Sequence, residues 1–138
     1  MMSKQAQKSE SKAVKVALSH IKAWSNRNYE EARRHLSKDV HVIVNTTQPV
    51  MSATDTVGID KYMDGLVKFG EIIAPGSAEI MSSIGDEQNA LIMVSVQATV
   101  GPGGAKLPLV GGRLYLLDDA GKIKEERVIF SIMTPPVS

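Results

Sequence analysis

The sequence predicts an α+β domain, in which helices dominate the first half of the chain and strands the second. Apolar residues recur at helical spacing before about residue 70, whereas four β-rich runs separated by short turns follow it. Strands joined by short turns pair antiparallel, so this order argues against a parallel α/β sheet. We therefore expect three N-terminal helices packed on a curved, mostly antiparallel sheet.

Each helix is indicated by its apolar spacing and by the residues at its ends. The first is expected over residues 12–25 and a short second helix over residues 29–36. Asp55 or Thr56 is expected to cap the third helix, and Gly70 to end it. The apolar face of the first helix comprises Val14, Ala17, Leu18, Ile21 and Trp24.

The strands are indicated by alternating or β-branched runs. An alternating strand is expected from Val40, between the second and third helices. The later runs cover residues 78–84, 90–100, 107–117 and 123–133. Gly111 and Gly112 lie inside one of them, where we expect the sheet to bend or bulge.

Length and composition narrow the possible classes of protein. The 138 residues suit one domain, predicted at 12–138, after a flexible tail at 1–11 that offers little to bury. A net charge of only +1 creates no strong positive potential that would attract nucleic acid or a membrane surface. With no cysteine, disulfides and thiolate chemistry are excluded. Because no stretch suits a signal or a membrane span, a cytoplasmic protein is expected.

Three segments carry a resemblance to a known superfamily: AWSNRNYEEARRHLSKDVHV, VGIDKYMDGL and LYLLDDAGKIKEERVIF. They resemble the SnoaL-like and ketosteroid isomerase-like branches of the nuclear transport factor 2-like superfamily, over nearly the whole chain after the tail. The resemblance implies a cone-shaped half-barrel of the cystatin-like type around one internal pocket. This fold hosts isomerases, cyclases, dehydratases and non-catalytic binding domains, so it implies no particular reaction.

The resemblance carries some family positions onto residues with different chemistry. The general base of the ketosteroid isomerases falls on Asn45, whose amide cannot accept a proton near neutral pH. Their two oxyanion donors fall on Ile21 and Arg113. The limonene epoxide hydrolases have an Arg and an Asp on a central strand and a further Asp on the last strand. These positions are occupied here by Ser95, Gln97 and Val128. The mechanisms of both enzymes are therefore not expected here.

His41 is a candidate base on the first strand. It shares strand parity with Asn45, which the resemblance places in the pocket. Val42 and its neighbours at positions 40 and 44 form the apolar side, however, so hydrophobic patterning would place His41 and Asn45 outside. The sequence leaves both orientations open. The three histidines show no HxH or HExxH spacing, and no metal site is predicted.

The final hairpin offers the sharpest pair of charged residues. With a four-residue loop, Tyr115 lies opposite Glu126 and Arg113 opposite Val128, which makes Arg113 and Glu126 diagonal neighbours. A shift of one residue would set Arg113 against Arg127, an unfavourable pair, although it would give a more uniformly apolar interior. We expect the first register, with Arg113 in the pocket and neutralised by Glu126.

Together these features predict a protein that binds a small molecule without a cofactor. If it is an enzyme, the resemblance implies isomerase, cyclase or dehydratase chemistry on a hydrophobic carbonyl-bearing substrate. Glu126 or His41 would then be the base and Arg113 the oxyanion stabiliser. The alternative is a non-catalytic ligand-binding or dimerisation module. The expected ligand-binding residues are Trp24, Asn45, Tyr62, Met63, Tyr115, Val128 and Phe130.

A homodimer through the outer face of the sheet is also expected. Leu91 and Met93 alternate with Ile92 and Val94, so both faces of this strand carry apolar side chains. Only one of the two faces can pack on the helices. The resemblance implies the partner, because members of the superfamily commonly associate in this way as homodimers.

Overall fold

The computed structural model describes residues 10–46, 54–99 and 102–132. Most of the predicted tail, residues 1–9, lies outside these ranges. The described helices are α1 (Lys12–Ser25), α2 (Tyr29–Arg34) and α3 (Ile59–Ile72). The described strands are β1 (Leu36–Thr46), β2 (Thr54–Val57), β3 (Glu79–Gly85), β4 (Asn89–Ala98), β5 (Leu107–Leu117) and β6 (Ile123–Ile132).

The strands form a single curved, unclosed sheet in the order β2-β1-β6-β5-β4-β3. Neighbouring strands are antiparallel except β1 and β6, which run parallel. This is the predicted α+β class with a mostly antiparallel sheet. Within the described residues, no helix has both the length and the apolar character needed to cross a membrane.

The first strand starts earlier than predicted. The second helix ends at Arg34 rather than at residue 36, and Leu36 already belongs to β1. His35 ends the helix, and its carbonyl accepts a hydrogen bond from the Ile123 N–H at 2.8 Å. The pairing of β1 with β6 therefore begins directly after α2, which local sequence patterns could not indicate.

The segment before α3 is a strand rather than a helix cap. Asp55 and Thr56 lie in β2, where they pair with Ile43 and Val42 of β1. The N-cap position of α3 is Gly58, with a φ of 113° and no side-chain cap. This backbone conformation favours glycine, so Gly58 turns the chain from the sheet edge into the helix.

The interior lies between the helices and the inner face of the sheet. Helix α1 places Ala13, Ala17, Ile21 and Trp24 in it, every third or fourth residue, as the apolar spacing predicts. Alternate residues of the central strands complete the core, including Ile92, Val94 and Val96 of β4. His20 is also fully buried on the inner face of α1.

The glycine pair in β5 has a different role from the one predicted. Pairing with β4 continues without a register shift through Gly111 and Gly112, so no bulge occurs there. Gly111 faces inward, and a Cβ at this position would lie 2.6 Å from the Phe130 Cβ and 2.8 Å from the Ile129 carbonyl oxygen. Glycine at 111 therefore permits the close approach of β6.

We predict that Gly111→Ala destabilises the protein, whereas Gly112→Ala does not do so to the same extent. A Cβ at 111 overlaps backbone that cannot move alone, which costs about 1–3 kcal/mol. At 112 it meets only the flexible end of Met93 at 3.2 Å, so the change is less than about 1 kcal/mol. Urea unfolding measures both; equal losses of unfolding free energy would contradict the packing role of Gly111.

Candidate functional site

A cavity of about 130 Å³ lies between α3 and the inner face of the sheet. Helix α3 contributes one wall, and β1, β2, β5 and β6 contribute the others. The lining residues are Val42, Val44, Thr54, Thr56, Lys61, Tyr62, Gly65, Leu66, Phe69, Arg113, Glu126, Val128 and Phe130.

Most of the lining is apolar, and the reason is periodicity. Val42 and Val44 of β1 and Val128 and Phe130 of β6 are alternate residues, so they point to the same face of the sheet. The α3 residues Tyr62, Leu66 and Phe69 recur at helical spacing and face them. A molecule in the cavity would therefore be surrounded mainly by hydrocarbon.

Arg113 and Glu126 form a buried ion pair on this lining. The Arg113 Nη1 donates to Glu126 Oε2 at 3.1 Å, and the two side chains are 9% and 2% exposed. Arg113 lies opposite Val128, and Tyr115 opposite Glu126, which is the register expected from a four-residue loop. Near the turn the register shifts, and Leu117 pairs with Ile123. The pair thus places two opposite charges side by side on β5 and β6, in a lining that also includes the exposed Lys61.

Aromatic rings hold the Arg113 guanidinium in place. Its Cζ lies 4.7 Å from the centre of the Trp24 ring and 5.6 Å from that of Phe69. A cation over an aromatic face gains electrostatic stabilisation when it is removed from water. Trp24 therefore supports the site from behind the cavity.

A chain of hydrogen bonds leads from Glu126 into the interior. Tyr62 donates its hydroxyl proton to Glu126 Oε1 at 2.5 Å, and the same oxygen of Tyr62 lies 2.7 Å from His20 Nε2. On the far side of the ring, His20 Nδ1 lies 3.0 Å from the Ala32 carbonyl oxygen. The chain connects β6, α3, α1 and α2.

The protonation states of the buried groups follow from competing effects. Burial alone would raise the pKa of Glu126, but the Arg113 charge, His20 and the hydrogen bond from Tyr62 together lower it. Glu126 is therefore a carboxylate at neutral pH. Burial lowers the pKa of His20 to about 4, so the ring is neutral at pH 7. Burial and the Glu126 charge raise the pKa of Tyr62, which stays a neutral phenol.

Some buried donors near the ion pair have no protein partner. Among the described residues, the Trp24 Nε1, the Arg113 Nε and the Tyr115 hydroxyl make no hydrogen bond. Buried polar groups are usually paired, because an unpaired one loses its interaction with water. Since Arg113 lines the cavity, its guanidinium has donor capacity beyond its bond to Glu126.

The structure brings together five of the residues predicted to form the site. Arg113, Glu126, Tyr62, Val128 and Phe130 all line the cavity. The other aromatic residues and the methionine of the prediction lie nearby but behind the lining. They are Trp24, Met63 and Tyr115, and each is buried in the core.

His41 and Asn45 lie outside the cavity, contrary to the prediction that they face it. The inward positions of β1 are occupied by Val42 and Val44, so the residues of opposite parity point away. Asn45 is exposed, and His41 Nε2 lies 2.6 Å from Asp55 on the neighbouring strand. His41 therefore has no access to a molecule in the cavity, and hydrophobic patterning described this strand better than the family position did.

His20 is a buried polar residue next to the site that the sequence prediction did not include. It lies on the apolar face of α1, between Ala17 and Trp24, and this position was the available signal. From the sequence, His20 was considered only together with the two other histidines, as a possible metal ligand. In the described part of the chain, no cluster of three or more potential ligand residues could hold a metal ion.

We predict that removing Glu126 alone costs far more stability than removing the whole pair. Glu126→Leu leaves the Arg113 charge buried without a partner and should lower the unfolding free energy by about 3–5 kcal/mol. The double variant Arg113→Leu/Glu126→Leu removes both charges and should cost much less. Denaturant unfolding of the single and double variants measures the difference. If Glu126→Leu and Arg113→Leu each lower the unfolding free energy by less than about 1 kcal/mol, the pair behaves as an exposed ion pair.

Known proteins can now be compared with this geometry. The SnoaL-like domain family matches residues 17–126. No protein of curated function matches the chain. A solved structure described as a SnoaL-like polyketide cyclase from Shewanella denitrificans is 14% identical, with a TM-score of 0.69 over 86% of this chain and 89% of the other.

Two further solved structures share the fold. A protein with a ketosteroid isomerase-like fold from Catenulispora acidiphila, solved with trimethylamine, is 9% identical, with a TM-score of 0.69 over 84% of this chain and 85% of the other. An LEH-like epoxide hydrolase from M. tuberculosis is 15% identical, with a TM-score of 0.64 over 86% and 82%. At these identities the likeness concerns the fold alone. From this family match, which covers residues 17–126, the chain belongs to the SnoaL-like domain family.

Proposed function

We propose that this protein binds a small, mainly apolar molecule that carries a carbonyl group, and that it catalyses proton transfer on that molecule without a cofactor. The observation that carries the proposal is the buried Arg113–Glu126 pair in a mainly apolar cavity. A few polar groups in an apolar cavity are typical of sites that orient a small ligand. Here those groups are a cation and a carboxylate.

The size of the cavity restricts the ligand. Its volume of about 130 Å³ is close to that of a cavity of roughly 150 Å³ that holds benzene. One ring or a short branched chain therefore fits inside. Thr54 and Lys61 line the cavity and are exposed, so a larger ligand would extend past them.

The two charged groups suit proton abstraction next to a carbonyl. Glu126 would take the proton as general base, and the electron pair of the broken C–H bond would move toward the carbonyl oxygen. Arg113 would stabilise the negative charge on that oxygen through its guanidinium N–H groups. Isomerisation, cyclisation and dehydration can each begin with this step. Because His41 lies outside the cavity, Glu126 is the base that we propose.

Non-catalytic binding is the second candidate. Both oxygens of Glu126 already accept hydrogen bonds, from Arg113 and from Tyr62. A carboxylate satisfied in this way is a weaker base, since each bond stabilises its charged form. In that case the pair would only orient the ligand and preserve the cavity.

We further propose a homodimer through the outer face of the sheet. Ile84 pairs with Leu91, and Leu91 pairs with Leu114, so three large apolar residues form a row across β3, β4 and β5. Ile84 and Leu91 are 65% and 41% exposed, and Ile129 on β6 is 66% exposed. Exposed apolar residues on adjacent strands are typical of a surface that another protein covers.

Composition supports a cytoplasmic location and a role apart from nucleic acid and membranes. The chain has no cysteine, which fits a reducing compartment. Its net charge is +1, which gives no strong attraction to phosphates or to anionic lipids. We therefore propose that its partners are a small molecule and a second copy of the chain.

We predict that filling the cavity weakens ligand binding without unfolding the protein. Gly65 lines the cavity, and a Cβ at this position meets nothing within 4 Å, so Gly65→Leu extends into free space. Cyclohexanone is a suitable probe, because it combines one ring with a carbonyl. Binding, followed by NMR, should weaken at least about tenfold in Gly65→Leu. Asp64→Leu, which adds a leucine at the adjacent exposed position, is the matched control and should bind normally.

The same samples separate catalysis from binding. In D₂O, a base at Glu126 would exchange the protons on the carbons beside the carbonyl, faster than in buffer alone. This exchange should occur with the wild-type protein and with Asp64→Leu, and should disappear in Gly65→Leu. Binding without accelerated exchange would favour the non-catalytic candidate, and the absence of both would contradict the proposed function.

We predict that the wild-type chain is a dimer in solution and that Leu91→Glu makes it monomeric. A carboxylate in the centre of the apolar row would be desolvated on association without a partner. Light scattering gives the mass of both forms. Glu87→Leu, a change at an exposed position just outside β4, should leave the dimer intact. A monomeric wild-type protein at every concentration would refute the proposal.

A further inference from the structure

The hydrogen-bond chain behind the cavity contains fewer protons than contacts. Its three contacts join Glu126 to Tyr62, Tyr62 to His20, and His20 to the Ala32 carbonyl, at 2.5, 2.7 and 3.0 Å. Each contact at such a distance needs one proton between its two heavy atoms. With Glu126 ionised and His20 neutral, the tyrosine and the imidazole supply only one proton each.

The contact that lacks a proton can be identified from which atoms are able to donate. The Ala32 carbonyl oxygen only accepts, so the proton of His20 must be on Nδ1. The Glu126 carboxylate also only accepts, so Tyr62 must donate to it. No proton is then left for the contact between His20 Nε2 and the Tyr62 oxygen. The buried chain is complete only when it has one more proton.

We propose that His20, Tyr62 and Glu126 form a relay that takes up one proton from the cavity, where Glu126 is its entry point. The identity of the donor rests on the proposed function: it is the bound molecule that Glu126 deprotonates. The capacity for one proton rests on the three contacts and on the resting state with an ionised Glu126 and a neutral His20. His20 does not line the cavity, so it acts through Tyr62 as a positioning residue.

Uptake completes every contact of the chain in two equivalent ways. In the first, Glu126 carries the added proton and donates to the Tyr62 oxygen, while Tyr62 donates to His20 Nε2. In the second, each of these two protons has crossed to the other atom of its own contact, which gives a Glu126 carboxylate, a neutral Tyr62 and a His20 imidazolium. The two forms contain the same number of protons and have the same total charge, but the first has no charged member, whereas the second is a carboxylate–imidazolium pair.

The surroundings explain why the relay would serve a base in this position. A protonated Glu126 no longer neutralises Arg113, 3.1 Å away. Transfer through Tyr62 restores the carboxylate beside Arg113 and makes Glu126 ready to act again. Tyr115 and His35 also lie near His20, with ring centres 6.1 and 5.8 Å away, and the Arg113 charge acts on it as well. The His35 Nε2 lies 3.6 Å from Glu31 of α2.

Protonation can be followed on both ends of the relay without a ligand. Protein labelled with ¹⁵N in histidine and with ¹³C in the glutamate carboxyl groups would be titrated by NMR, from about pH 8 to about pH 4. In the wild type, the His20 ring nitrogens and the Glu126 carboxyl carbon should shift with one common midpoint, because they share the added proton. At neutral pH, His20 should be the Nδ1–H tautomer.

Two tyrosine variants provide the test and its control. Tyr62→Phe removes the oxygen that joins the two ends, so the single midpoint should separate into two. Tyr115→Phe removes a neighbouring buried hydroxyl that makes no hydrogen bond within the described residues, and it should keep the common midpoint. Different midpoints in the wild type, a common midpoint in Tyr62→Phe, or unfolding before either signal moves would each overturn the relay.

The result is independent of the ligand experiments. If cyclohexanone neither binds nor exchanges but the two midpoints coincide, the relay stands and the proposed substrate class fails. If exchange occurs but the midpoints differ, Glu126 acts as a base without the relay.

Discussion

The desolvated charge of Arg113 is the constraint on which the site depends. An arginine cannot lose its proton in a protein, so its burial requires a partner on an adjacent element. Glu126 provides that partner, and the Trp24 and Phe69 rings provide further stabilisation. A one-residue slip between β5 and β6 would move one of the two side chains to the opposite face of the sheet and leave the other buried without its partner, so the pair also opposes that register of the final hairpin.

The same interaction connects the cavity to the helices. Because Glu126 is held by Arg113, its second oxygen is fixed toward Tyr62, and Tyr62 in turn lies against His20 of α1. Three helices and the sheet thus meet in one polar chain inside an apolar core. Buried polar groups carry a large penalty when any member lacks a partner, so such a chain specifies the relative positions of these elements.

Much of this architecture could be predicted from the sequence. The amphipathic spacing of α1 and α3 and the β-rich runs determine the class of fold and most element boundaries, because periodicity reports which side of an element is buried. The residues Arg113 and Glu126 could also be paired, since a four-residue loop and the clash with Arg127 favour one register. What escaped prediction depends on distant contacts: β2 is a strand only because it pairs with β1.

The sequence by itself determined the family, the helical and strand periodicities, and the charged pair on the final hairpin. Only the tertiary structure decided which face of β1 meets α3, and therefore that Val42 and Val44 replace His41 and Asn45 at the cavity. It also decided the partners of His20, which lies 42 residues from Tyr62 along the chain. Periodicity can show that a histidine is buried, but the partners that fix its protons are brought to it by folding.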